Sequence, residues 1–287
     1  MVYNGFDGYC CHFGVIFHER FKNKRSEYIP MSNLPFVWEL DYGGVQSHLV
    51  GTMHVLPNWS SVPDFKPVAD ELLCGKKNIL LELEMTKGQR GELIAALTTQ
   101  KIEDYWGTLD QEERACWGEI TGIKPSMLAT APAIGLSSIL FNAAGISLVA
   151  GVEEILKTSA NTQNVIVSGL ETVGEQTEYI ISEYFQRLPT ILKSMVDREK
   201  KQPGLIHEHS HRLLRNYLSG EEKALLKEYF LFSEKTVAIV QRNQKMAQRS
   251  LSYLVEPTVV AVGVIHCLGE DSMVDFYREQ GITTKRV

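Results

Sequence analysis

The sequence predicts an α/β fold: a mixed or largely parallel sheet flanked by helices, with pseudo-repeated halves and a helical middle section. Three observations predict it. Short runs of branched residues recur along the chain, among them Val45–Val50, Asn78–Met85, Asn164–Leu170 and Val259–Val264, and stretches of helical pattern separate them. Two of the runs lead into the same short motif, Gly-x-x-His, at Gly51–His54 and Gly263–His266. Between the halves, Thr86–Val152 reads as mostly helical, punctuated by Gly122, Pro125 and Pro132.

Taken in order, residues 1–35 show no clean period and read as an appendage of unknown role, ahead of one α/β domain over 36–287. Phe36–Leu40 and Val45–Val50 flank Gly43-Gly44, the pattern of a β-hairpin feeding the first Gly-x-x-His. Asp64–Leu73 follows as a helix. In the strand Asn78–Met85, Leu80, Glu82 and Glu84 share one face and Ile79, Leu81, Leu83 and Met85 the other. A central strand rarely carries carboxylates without partners, because burying an unpaired charge is costly; the alternative is that this strand surfaces at its C-terminal end. Asn164–Leu170 ends in Glu171, and Thr172–Glu175 has the form of a capping box opening a helix. Ser219–Glu222 reads as a second capping box, opening a long helical region that carries Arg242-Asn243 and runs to Val255, stopped by Pro257. Asp271–Gln280 is the last helix and Ile282–Val287 a terminal strand or tail.

Composition excludes several classes. The chain of 287 residues is 44 % hydrophobic and 22 % charged, with 29 basic and 35 acidic side chains and a formal charge of -6. Without a dense basic stripe, nucleic-acid binding is excluded as the main role. Five cysteines lack zinc-ribbon spacing, which points to a reducing compartment rather than a disulfide scaffold. The N-terminus has no basic start followed by an apolar core, so no signal peptide is recognised and a cytoplasmic location is expected. Pro125–Val152 is uncharged and long enough to span a membrane. Its prolines, glycines and serines dilute the hydrophobicity, so buried helices are expected instead, with a small-residue surface suited to a homo-oligomer contact.

The chemistry gathers at the strand ends. A histidine just beyond a strand's glycine stands at the carboxyl edge of the sheet, where open α/β sheets place ligands. His54 and His266, from opposite ends of the chain, read as two walls of one site. Two imidazoles and a carboxylate are the donors a catalytic divalent metal takes, with open positions for water and substrate. Each Gly-x-x-His alone is a weak signal, because a histidine after a strand is more often a packing or capping residue. Glu171, at another strand-to-helix junction, is equally well a solvated carboxylate at a helix N-terminus. A competing motif, H-E-x-x-H, lies at His207, Glu208 and His211; on a helix it would put two imidazoles on one face with the glutamate as base. Pro203-Gly204 just upstream puts it in a fraying first turn, and a solvated surface cluster is the preferred reading.

The landmarks LVGTMHVLP, LLELEM, IKPSMLA, GVEEIL, GLETVGEQ, RNQKMA and AVGVIHCLGEDSMVDFYREQGITTKRV, in this order and spacing, resemble the TraB/GumN/Tiki group, a more distant relative of the erythromycin esterases. The resemblance covers roughly residues 36 to 287. The family often has aspartate where this chain has Glu84 and Glu153. The resemblance implies an α/β domain with paired Gly-x-x-His motifs around one site, and a metal-dependent hydrolase, a peptidase first, using manganese or cobalt ahead of zinc. It implies a metal site of His54, Glu82 and His266, with Glu82, Glu171, Arg242 and Asn243 as the catalytic set, acting on a peptide or small-molecule substrate. Two other readings share the pocket: a protein that sequesters a peptide or small ligand without turnover, and a metal-free, esterase-like hydrolase with His54 as base.

Overall fold

A computed structural model describes residues 34–287, and the appendage expected over 1–35 falls almost wholly outside them. β1 (Val37–Tyr42) and β2 (Val45–Thr52) form the expected hairpin, with Tyr42 opposite Val45 across Gly43-Gly44. After β2 come β3 (Val55–Pro57), α1 (Lys66–Leu73) and β4 (Asn78–Leu83). A mostly helical section follows: α2 (Lys87–Thr98), a 3₁₀ turn over Ile102–Thr108, α3 (Gln111–Thr121), α4 (Pro125–Ala129), α5 (Leu136–Ala143), the short β5 (Leu148–Ala150) and α6 (Val152–Gln163). Next are β6 (Ile166–Glu171), α7 (Val173–Tyr179), a π-helical turn over Ile180–Phe185 and α8 (Gln186–Lys201). The chain ends with α9 (Leu205–Leu218), α10 (Glu222–Tyr229), α11 (Val237–Ser250), β7 (Thr258–Gly263), α12 (Met273–Glu279) and β8 (Thr283–Arg286).

The six-stranded sheet runs β6-β4-β7-β2-β1-β8. β6, β4, β7 and β2 are parallel, and the antiparallel β1 and β8 close one side. Every residue of β7 is buried, which fits a central strand covered on both faces. The two Gly-x-x-His strands are direct neighbours, with Gly51 opposite Val262 and Thr52 opposite Gly263. Residues 211 apart in the chain therefore leave the same sheet edge side by side. The carboxyl ends of β2, β4, β6 and β7 all lie at that edge.

One apolar core surrounds the sheet, with Leu49, Val50, Ile79, Leu80, Val260 and Tyr277 among its fully enclosed members. A second, around Trp117, Leu188, Leu192 and Ile206, joins the middle section to α8 and α9. β5 brings the middle section back to the sheet edge by pairing antiparallel with β3. Pro125–Val152 is folded into short elements, and among the described residues no helix is long and apolar enough to cross a membrane. Thr172 and Glu175 form the expected capping box at the start of α7. The π turn after it lies one turn before Pro189, which sits inside α8; a widened turn relieves the clash a proline ring makes with the carbonyl four residues back.

The long helix expected from Ser219 to Val255 is two helices. Ser219 ends α9 instead of opening a capping box, its hydroxyl donating to the Asn216 carbonyl. Residues 230–236 interrupt the helix, and Thr236 restarts it by accepting the Ile239 N–H. A helical period continues across such a break whenever both pieces face the same core, so periodicity alone did not reveal it.

Candidate functional site

The site is built around Glu82, near the end of β4. Its side chain is 5 % exposed, and each of its oxygens has a donor. Arg242 Nη2 donates to Oε1 at 2.8 Å, and the Gly263 N–H donates to Oε2 at 3.0 Å. Burial opposes ionisation here, yet His266, His54, Arg242 and the Gly263 N–H together hold the carboxyl at about 2. At neutral pH His266 is uncharged, so His54, Arg242 and the Gly263 N–H are what keep Glu82 anionic.

Arg242 lies on the buried face of α11 and connects three elements. Its Nε donates to Glu171 Oε1 at 2.9 Å, and its Nη2 to Glu171 Oε2 at 2.6 Å and to Gln176 Oε1 at 2.8 Å. The guanidinium carbon stands 4.2 Å from the centre of the Tyr179 ring, at the end of α7, a cation–π geometry that holds the fork in place. Glu171 is buried and bound through both oxygens, so it fixes Arg242 and is not the solvated carboxylate that its helix N-terminal position allowed. Two buried carboxylates share one guanidinium, which leaves this cluster negative.

Asn243, the next residue on α11, is fully buried. Its Nδ2 donates to the Asp271 carbonyl at 2.7 Å, which turns Oδ1 toward His266. Oδ1 can only accept, so His266 Nδ1 carries the proton of their 2.7 Å hydrogen bond and Nε2 keeps its lone pair. Burial lowers His266 to about 4, keeping the imidazole neutral. Its Nε2 lies 3.7 Å from Glu82 Oε2.

His54 comes off β2 in a bend and is far more open, with a side chain 62 % exposed. Its Nδ1 is 2.8 Å from Glu153 Oε2 at the start of α6, and that hydrogen bond raises the imidazole to about 9. Gly263 shows how closely these groups approach. A Cβ there would stand 3.2 Å from Glu82 Oε2, 3.5 Å from His266 Cδ2 and 3.8 Å from His54 Nε2. Only a residue without a side chain leaves this space free.

The structure thus brings together His54, Glu82 and His266, with Glu171, Arg242 and Asn243 behind them. Glu84 stands apart, half-exposed and paired with Lys157 Nζ at 2.9 and 2.7 Å. The H-E-x-x-H side chains are neither a metal site nor a solvated cluster. His207 Nε2 is 2.6 Å from the Ile120 carbonyl and His211 Nε2 is 3.0 Å from the Ala144 carbonyl. Both are half-buried and tie α9 to the ends of α3 and α5. Sequence reasoning missed Glu153, Gln176 and Tyr179. An acidic residue in a helix's first turn is ordinary, so only the hydrogen bond to His54 distinguishes Glu153.

Whether these residues suit a divalent cation can be judged from the donors themselves. Both imidazoles have Nδ1 committed to an acceptor, the arrangement that orients a metal-binding histidine through Nε2. The anionic surplus around Glu82 suits a cation as well. Among the described residues, however, no three His, Cys, Asp or Glu side chains stand close enough to hold an ion in the present arrangement. The donor types fit, and the third ligand would have to come from Glu82, whose oxygens already accept from Arg242 and Gly263.

No curated protein and no solved structure matches this chain. The family model described as TraB/PrgY/gumN family matches residues 36–286, which include both Gly-x-x-His motifs and every residue of the site. The chain belongs to the TraB/PrgY/gumN family.

Proposed function

We propose that this protein is a metal-dependent hydrolase, most simply a peptidase, with His54, His266 and Glu82 holding a divalent cation, manganese or cobalt before zinc. The observation that carries the proposal is the pair of imidazoles that flank Gly263, each with Nδ1 bound to an acceptor. When bound, the ion supplies an activated water and polarises the carbonyl to be attacked. Glu82 serves as the anionic anchor, because a carboxyl held at about 2 is a poor proton acceptor at neutral pH. Glu171 and Arg242 hold Glu82 in place. Asn243 has both ends of its amide committed, so it orients His266, and Arg242 is the partner left for a developing oxyanion.

A second reading rests on the 2.8 Å contact between His54 and Glu153. A carboxylate that orients a histidine is also the arrangement of a general base, which would serve hydrolysis without a metal once His54, raised to about 9, gives up its proton. One experiment separates the two: metal content of the purified protein and of His54→Ala, with turnover of a peptide library measured with a chelator and with added manganese, cobalt or zinc. Bound metal that falls in His54→Ala, together with chelator-sensitive turnover, supports the first reading. Turnover that survives complete chelation supports the second. Absence of turnover under every condition rejects both and leaves a sequestering protein.

A further inference from the structure

Of the two histidines, His54 lacks the packing that would hold a side chain in place. It is 62 % exposed, whereas His266 is 4 % exposed and lies in the 3₁₀ turn after β7. An open imidazole samples several rotamers and both neutral tautomers unless something fixes it. We infer that Glu153 is the positioning residue that fixes His54, setting its ring orientation and holding a proton on Nδ1 so that Nε2 faces the site.

Three observations support this. Glu153 Oε2 is 2.8 Å from His54 Nδ1, and its own side chain is only 19 % exposed. The backbone beneath it is joined to the backbone of His54. The Gly151 N–H donates to the His54 carbonyl at 3.1 Å, and the Val152 N–H donates to the Met53 carbonyl at 3.1 Å. These bonds extend the pairing of Val55 with Ala150. At Gly151 a Cβ would stand 2.0 Å from the Met53 carbonyl oxygen and 2.3 Å from the His54 carbonyl carbon, an approach that only glycine permits. The carboxylate is therefore built into the same backbone contact as its target. Finally, Glu153 lies in the first turn of α6, a position at which acidic side chains are favoured by the helix dipole. A carboxylate can only accept, so the shared proton belongs to His54 Nδ1. Glu154, its neighbour on the same turn, is exposed and provides the control.

The inference rests on His54 being a functional side chain, but its test can be read without turnover. Histidine side chains are labelled with ¹⁵N in the metal-free protein, and the His54 signals are assigned by their loss in His54→Ala. The wild type should show a protonated Nδ1 with a downfield, slowly exchanging proton. Glu153→Ala should abolish the protection of that proton, while Glu154→Ala should leave it unchanged. Glu153→Gln keeps an acceptor without the charge, so the proton should remain but move upfield. In a manganese titration of the same samples, Glu153→Ala should weaken binding about 10- to 100-fold, and Glu153→Gln less. A wild-type His54 without a protected Nδ1 proton, or one unchanged in Glu153→Ala, overturns the inference. Should Glu153→Ala not fold, the wild-type signal and its upfield movement in Glu153→Gln decide. If the NMR result holds while no variant binds manganese or turns over peptide, the hydrolase reading falls and the positioning role stands.

Discussion

Glu82 lies within β4 and Glu84 just beyond its end, not on one strand face as the alternation predicts, and their surroundings are opposite, so the same substitution should have different consequences at each. Glu82→Gln keeps the shape of the side chain but leaves one acceptor oxygen where two donors now converge, the Arg242 guanidinium and the Gly263 N–H. One of them must then face an amide NH₂. Removing one member of a buried ion pair costs about 3–5 kcal/mol. Arg242 keeps both contacts to Glu171, so the expected loss is lower, about 2–3 kcal/mol. Glu84→Gln removes a half-exposed pair with Lys157, worth about 0–1 kcal/mol. Stability should be measured by urea denaturation in chelating buffer, so that metal linkage does not add to either value. Metal affinity or activity should fall at least about 10- to 100-fold for Glu82→Gln and stay near wild type for Glu84→Gln. If both variants fold and Glu84→Gln is the more damaging, the assignment of Glu82 to the centre of the site is wrong.

Other substitutions test the surrounding structure. His207→Ala and His211→Ala should each cost about 1 kcal/mol, because each leaves a backbone carbonyl without its donor, while turnover by the folded fraction stays unchanged; a loss of turnover matching His54→Ala would make H-E-x-x-H the catalytic motif. Gly151→Ala should destabilise by at least about 1–3 kcal/mol, because its methyl meets backbone rather than a movable side chain; a neutral result would show that β3 and β5 are not held as described. His48, on β2, is lowered to about 4 by burial and by Lys76, and its buried Nδ1 has no partner among the described residues. Its folded value lies below the unfolded one, so the unfolded chain binds more protons in the window between them. Stability is then complete above about pH 6.5 and declines toward about pH 4, by roughly 2 kcal/mol after discounting for partial exposure. His48→Gln should remove that part of the acid sensitivity, and identical pH profiles for the two proteins would refute the assignment.

Much of the sheet was legible because its strands have short-range signatures. The double glycine at 43–44 and the apolar runs at 78–83 and 258–263 each identify their element without reference to the rest of the chain. The meeting of His54 and His266 was legible by one further rule, that parallel strands present their carboxyl ends at one edge. What escaped were contacts decided by packing. Nothing in residues 151–153 points toward a histidine 99 positions earlier. The split between α10 and α11 was hidden because both pieces keep an apolar face toward the interior. His207 and His211 looked like surface because polar residues surround them, but their partners are carbonyls at the ends of distant helices.

The two Gly-x-x-His copies are neighbours on the sheet but are not equivalent in what holds them. α11 supplies Arg242 to Glu82 and Glu171, and Asn243 to His266, from consecutive positions. One helix therefore fixes the buried half of the site, and any substitution that shifts α11 should move Glu82 and His266 together. The exposed half depends on a different part of the chain. His54 is oriented by Glu153, and Glu153 is placed by β5 and Gly151, where the helical middle section returns to the sheet. Because β5 pairs with β3, which directly follows His54, a change within residues 87–147 has a short covalent and hydrogen-bonded route to that imidazole. Such changes should therefore affect the His54 side of the site first, while the α11 side answers to the packing of α11 against α12 and β6.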